Sequence, residues 1–273
     1  METVKKNTSN SSGTLSYSAI TLITLAIIVF PIPPIILDYI ILLNIVFSVL
    51  LILYVFFGKK TINHFSFFNI LLKMIVFNFV INLIITRQII TLGDGIESIL
   101  IRFTVSVLSF DGYGILLIFF IILIVYASYF IFKILYKMYR VLEAALQSSI
   151  DSKHKMILLY DKERFSGIMS DKNIEEKITN MQQDTDIYEL FDDANKILIK
   201  YEKLRVILIF ANSALGIFAG MRFREELYFD AMIIYIPLAV AGGVLLIIPS
   251  LIMSVLMQIM FKRKHEATSK NSF

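Results

Sequence analysis

Long apolar blocks, separated by one extended polar stretch, set the pattern of this chain. From Ala19 to Phe57 the only charge is Asp38, and from Phe65 to Thr86 the only charge is Lys73. The stretches 113–132, 206–221 and 231–261 carry none. A block of about 20 apolar residues is what a helix needs to cross the hydrocarbon layer. The first block is long enough for two crossings, and Pro31, Pro33 and Pro34 in its middle remove backbone donors and break a helix. It predicts a tight hairpin of two helices that turns near Asp38. Six spans follow in all.

Residues 137–203 are different, for they hold half of all the charged side chains. The predicted organisation is a disordered tail over 1–18, a membrane region with four spans over 19–136, a polar insert over 137–203, two further spans within 204–261, and a tail over 262–273. Within the insert, Ile187, Leu190, Phe191, Ala194, Ile197, Leu198 and Tyr201 recur at helical spacing, which predicts an amphipathic helix leading into the fifth span. The upstream half, 151–184, mixes charges with short apolar runs and is expected to form a small compact fold. The fold class expected is an all-α polytopic membrane bundle with a small helical insert.

Composition agrees with the pattern: 57% of residues are hydrophobic and the mean hydropathy is +0.75, far above what a globular core requires. Sidedness follows from Lys and Arg near the span ends, because positive loops stay cytoplasmic. Lys5, Lys6, Lys59, Lys60, Lys133, Lys137, Arg140, Lys262, Arg263 and Lys264 all fall on one side of a six-span chain. Both termini and the insert are therefore expected in the cytoplasm. The net charge of +4 reflects these boundary cations and lacks the aromatic interleaving of a nucleic-acid surface, so no nucleic-acid partner is expected. The lipid bilayer is the partner that composition demands.

Enzymatic constellations are missing from the sequence. His64, His154 and His265 are scattered, there is no cysteine, and neither a phosphate-cradling loop nor a dinucleotide turn occurs. No catalytic residue, metal site or cofactor is expected. Polar residues inside the spans carry more information, since each needs a partner or water in the hydrocarbon. Asn44, Asn69, Lys73, Asn78, Asn82, Asn212 and Gln258 are these residues. On the third span Asn69 and Lys73 share one face, with Asn78 and Asn82 on roughly the opposite one. Two readings stand: a polar seam lining a pathway, or interhelical hydrogen bonds that hold the bundle together. Gly216 and Gly220 form a Gly-x-x-x-Gly that predicts close packing on the fifth span, and Gly242-Gly243 is expected to interrupt the sixth between Pro237 and Pro249. Gly93-Asp94-Gly95 and Gly112-Tyr113-Gly114 read as turns on either side of an amphipathic stretch.

Several separated pieces, in order, resemble the FHIPEP family of export-gate membrane proteins of flagellar and type III secretion. Pro31-Ile32-Pro33-Pro34, Leu37-Asp38 and Leu43-Asn44-Ile45 are similar to the family's opening motif. Phe65-Ser66-Phe67-Phe68, then Asn82 with Thr86-Arg87, are similar to its next segments. Arg140-Val141, Glu143, Ala145, Asp151, Lys155-Met156 and Asp161 look like remnants of its signature, and Thr185-Asp186-Ile187-Tyr188 with Asp192, Ala194 and Lys196 like the stretch that follows. Asn212, Gly216, Gly220 and the run from Tyr235 to Pro249, with Ser254 and Arg263, keep the spacing of its later spans. The signature's Pro-Gly is absent between Asp151 and Lys155, and Ala241-Gly242-Gly243 stands where the family has an intramembrane carboxylate.

The resemblance covers about 28–264 and implies a divergent, shortened member without the family's large cytoplasmic domain. It implies a gate or scaffold subunit of a protein-export apparatus in the bacterial inner membrane. Its implied partners are other export membrane proteins and exported substrates, in a homo-oligomeric or mixed ring. It also makes Asp38, Arg87, Asp161, Asp186 and Asp192 the ionisable candidates for proton coupling or gating, beside the intramembrane Asn44, Lys73, Asn82 and Asn212. A stand-alone ion or solute transporter, and a non-transporting assembly partner of a longer homologue, are the alternative readings.

Overall fold

The computed structural model describes residues 32–58, 64–108, 115–166 and 171–271, and among these the chain is helical throughout, with no strand. Six α-helices follow one another there: α1 Pro34–Phe57, α2 His64–Leu92, α3 Ile99–Leu108, α4 Ile115–Ser166, α5 Asp171–Phe223 and α6 Tyr228–Asn271. Five of them, all but α3, contain a segment long and apolar enough to cross a membrane. A helix satisfies all its backbone groups internally, the condition that hydrocarbon imposes on a spanning segment. The sixth predicted span, the first in chain order, falls largely on residues outside the described ones.

Three expectations change. Pro34 opens α1, which suits a residue without an N–H at a helix start, so Asp38 lies inside the helix and not at a turn. The stretch 151–184, which could have formed a separate small compact fold, is helical where described: it belongs to the ends of α4 and α5, which are 52 and 53 residues long and each join an apolar segment to a polar one. Finally, α6 continues without a break through Pro237, Gly242-Gly243 and Pro249. Proline is tolerated within a spanning helix where neighbouring groups take up the freed backbone carbonyl. A Cβ built at Gly242 would lie 2.9 Å from Cγ2 of Ile85, so this glycine lets α2 approach α6 closely.

The helices contribute to two compact units. The first draws on the described parts of Met1–Asn44, Phe77–Ile121 and Ile207–Leu246. Its core includes Leu37, Ile41, Ile81, Ile85, Ile101 and Tyr235. The second draws on Ile45–Val76, Ile122–Val206 and Ile247–Phe273. There Phe191 lies edge-on to both Phe68 and Phe261, at ring-centroid distances of 4.8 and 5.8 Å; of the amphipathic stripe predicted over 187–201, Phe191, Ala194, Leu198 and Tyr201 are buried, Ile187 and Leu190 are half-buried and Ile197 is exposed. In the arms beyond, Ser149 and Thr185 share a hydrogen bond at 2.9 Å and Lys153 donates to Gln182 at 3.2 Å, tying α4 to α5.

Candidate functional site

The first unit builds its polar contacts around the ends of helices. The Asp38 carboxylate accepts three hydrogen bonds at the start of α3: from Ser98 Oγ at 2.5 Å, from Ile99 N at 2.8 Å and from Leu100 N at 3.2 Å. The first N–H groups of a helix have no intrahelical acceptor, and a carboxylate there satisfies them and complements the helix dipole. Ser98 acts as the cap within the chain, its Oγ accepting from Ile101 N at 3.3 Å. Asp38 is thus a second cap, supplied from α1.

The same logic operates at the end of α2. Gly93 has φ +55°, the left-handed conformation that stops a helix at little cost only for glycine. Arg224, just beyond α5, donates through Nη2 to the Ile90 carbonyl at 3.1 Å and through Nη1 to Tyr235 Oη, which itself donates to Glu226 at 3.5 Å. The Tyr235 ring lies against the glycines expected to allow close packing. A Cβ at Gly216 would stand 2.6 Å from Tyr235 Cδ1, and one at Gly220 would meet Cε2 of the same ring.

Of the intramembrane residues, Asn44 and Asn78 are both buried and joined by Nδ2 to Oδ1 at 2.7 Å, linking α1 to α2. Asn82 is buried one turn on, and its carbonyl accepts from Thr86 Oγ1 at 2.8 Å. Asn212 is buried on α5. Arg87 is half-buried near the end of α2, its carbonyl accepting from Thr91 Oγ1. The first unit therefore holds Asp38, Asn44, Asn82, Arg87 and Asn212, of which Asn44 is an interhelical group and Asp38 a capping one.

The remaining candidates belong to the second unit. Lys73 and Asn69 are exposed on the outer face of α2, opposite the buried Asn78 and Asn82. Asp186 is exposed on α5. Asp192 is buried and pairs with Lys196, one turn on, at 2.6 Å. Asp161 lies in α4, and its side chain falls outside the described ones. Asp184 pairs with Lys264, fastening α5 to α6.

Among the described residues, the most buried charges of the second unit are not sequence candidates. Arg205 donates through Nε to Glu202 Oε2 at 3.0 Å and through Nη2 to Ser128 Oγ at 3.2 Å, and both charged side chains are completely shielded from solvent. Taking two charges from water is tolerable only when each neutralises the other and further hydrogen bonds help, which the Ser128 hydroxyl of α4 supplies. Asn195 adds a second tie, donating to the Leu135 carbonyl of α4 at 3.2 Å. The signal for Arg205 is the amphipathic stripe itself: it stands four residues beyond Tyr201, on the same face. The polar insert ends at 203 and the uncharged stretch begins at 206, so Glu202 is read with the insert and Arg205 falls between the two. No cluster of His, Cys, Asp and Glu suited to a metal ion occurs among the described residues.

Comparison with known proteins adds ancestry to this geometry. Residues 24–272 match the model of the FHIPEP family. The flagellar biosynthesis protein FlhA of Treponema pallidum (strain Nichols) is 30% identical over 229 residues, covering 84% of this chain and 32% of that protein. FlhA of Borreliella burgdorferi is 28% identical over 265 residues, covering 97% and 38%. Protein MxiA of Shigella flexneri is 25% identical over 231 residues, covering 85% and 33%. The chain spans about a third of the length of the curated relatives it matches. No solved structure gives a match.

Proposed function

Since the chain belongs to the FHIPEP family, we propose that it is a membrane subunit of a flagellar or type III protein-export apparatus, serving as a gate or scaffold component. The observation that carries this reading is the extent of the match, which includes all five membrane-span candidates. Its place is the bacterial inner membrane, with both termini and the insert in the cytoplasm, and its neighbours are other export membrane proteins, copies of itself or longer homologues. The role is not enzymatic. Exported proteins would be the cargo of the assembly.

The buried polar contacts favour scaffold over channel. Asn78 is engaged by Asn44, and α6 is continuous, which takes one residue from the polar seam and removes the break in the sixth span on which a stand-alone solute pathway rested. Asp161, Asp186 and Asp192 lie on the two helices of the insert, and with Asp38 and Arg87 they remain the proposed coupling residues. Asp38 would act mainly by holding α3.

Purification of the tagged full chain from its own cells, in mild detergent with mass spectrometry of what accompanies it, tests the reading. Export-apparatus membrane proteins are expected in the eluate. Their consistent absence, with the chain itself recovered intact, would sink the proposal.

A further inference from the structure

Helix α3 presents an apolar stripe outward where a water-facing helix would be polar. Its exposed residues are Ile99, Arg102, Phe103, Ser106 and Val107, at i, i+3, i+4, i+7 and i+8, which is one continuous face. Ile99 and Phe103 are 70% and 67% exposed, although Ile101 and Leu108 on the other side are fully buried in the first unit. The stripe is therefore not the face that the core uses. Ten residues extend only about 15 Å, roughly half the hydrocarbon thickness, so α3 does not cross a bilayer.

Its position in the chain fixes where it can lie. It follows α2, which ends at Leu92, and precedes α4, which begins at Ile115, and both neighbours contain membrane-span candidates. Its N-terminus is bonded to Asp38, one turn into α1, another span. Three span ends thus hold α3 at the level where hydrocarbon meets water. Tyr39, Phe223, Tyr228 and Phe229, at the ends of other helices of the same unit, are also exposed, as aromatic side chains are at a membrane interface.

We infer that α3 lies in the plane of the membrane surface, with Ile99, Phe103 and Val107 sunk into the boundary between lipid headgroups and acyl chains. The inference goes beyond the export reading and needs only that the chain is a membrane protein. Arg102, on the same stripe, donates through Nε to the Ile96 carbonyl at 2.6 Å, which ties the stripe to the turn before α3. Lipid fits this face better than a second protein does, because one stripe of a ten-residue helix is far smaller than the roughly 800 Å² per partner of a stable protein interface. Asp38, through its bonds to the start of α3, then fastens the interfacial helix to a spanning one.

The chain contains no tryptophan, so Phe103→Trp is a single reporter, with Val107→Trp one turn further on the same stripe. Each full-length variant is reconstituted in vesicles of phosphatidylcholine and phosphatidylglycerol that carry bromine either near the acyl carbonyl or near the chain end. Both tryptophans should emit to the blue of tryptophan in water and lose more intensity to shallow than to deep bromine. Emission at the aqueous position with ready quenching by acrylamide would overturn the inference while leaving the membrane reading intact. Blue emission insensitive to either bromine would overturn it in favour of a second copy or a partner protein. Stronger deep quenching would also overturn it, and a chain stripped from vesicles by carbonate would remove this inference and the membrane reading together.

Discussion

Arg205 and Glu202 form an ion pair one helical turn apart on α5, held at 2.9 Å with neither side chain reaching solvent. In the interior such a pair is nearly neutral in its net effect on stability, because desolvation offsets attraction, but each partner depends wholly on the other. Removing Arg205 leaves the Glu202 carboxylate buried without its cation. Arg205→Ala is therefore expected to destabilise the protein by about 3–5 kcal/mol. The double substitution Glu202→Leu with Arg205→Met should recover most of that loss, as replacement of buried pairs by apolar side chains generally does. Thermal unfolding of the purified variants in one detergent checks both, and an Arg205→Ala protein as stable as the parent would count against the buried pair.

The asparagine bond between α1 and α2 sets a smaller expectation. Asn44 and Asn78 meet at 2.7 Å within the apolar parts of their helices. Interhelical side-chain bonds in membranes are worth about 0.6 kcal/mol on average and up to about 1.7 kcal/mol, since the separated helices find other partners. A double-mutant cycle with Asn44→Leu and Asn78→Leu should give a coupling energy in that range. Coupling indistinguishable from zero would mean that the two side chains do not depend on each other.

The glycines of α5 make a steric prediction. Any Cβ at Gly216 or Gly220 meets the Tyr235 ring, and inserting atoms into a packed contact costs about 1–3 kcal/mol. Gly216→Ala should lower the unfolding temperature, and Tyr235→Leu in the same chain should return part of it, because a smaller side chain clears the space. Additive effects of the two changes would show that they act at separate places.

How much of the fold is legible in the sequence depends on what each feature needs. The apolar blocks announce the spans, since crossing hydrocarbon demands length and apolarity whatever the partners are. The Gly-x-x-x-Gly spacing announces a close approach, but Tyr235 as the occupant depends on how α6 packs. Asp38 is visible as a lone charge in an apolar block, yet its partners are 60–62 residues away, beyond any local rule. The proline-rich stretch suggests a turn at Asp38, where helix wins because Pro34 takes a first position that tolerates proline. Arg205 escapes notice for a different reason. Charge marks the polar insert in the sequence, and the helical stripe through Phe191, Leu198 and Tyr201 carries the burial one turn further than the apolar block does.

Loss of the long-range cap should be felt locally. Asp38→Ala deprives the Ile99 and Leu100 N–H groups of their acceptor, and removing a cap costs about 0.5–2 kcal/mol. Because α3 is only ten residues long and is held through this contact, the loss falls on α3 before it falls on the whole bundle. Hydrogen exchange of the amides around 99–102 should accelerate in the variant, with exchange in the arms over 181–201 unchanged. Equal acceleration everywhere would show that Asp38 supports global stability and not α3 in particular.

Sidedness yields the last expectation, and the absence of cysteine from the chain makes it directly measurable. Glu97 lies between α2 and α3, Glu225 between α5 and α6, and Glu189 in the polar arm of α5, all three exposed. A chain that crosses at α2, returns at α4, crosses again at α5 and returns at α6 puts Glu97 and Glu225 on one face and Glu189 on the other. The Lys and Arg bias predicts Glu189 on the cytoplasmic side, the side expected for Lys133, Lys137, Arg140 and Lys262. In intact spheroplasts, a membrane-impermeant maleimide should therefore label Glu97→Cys and Glu225→Cys and spare Glu189→Cys until the membrane is broken. Labelling of Glu189→Cys from outside would invert the topology. Labelling of Glu97→Cys without Glu225→Cys would mean that α5 does not cross, and labelling of Glu225→Cys without Glu97→Cys that α4 does not.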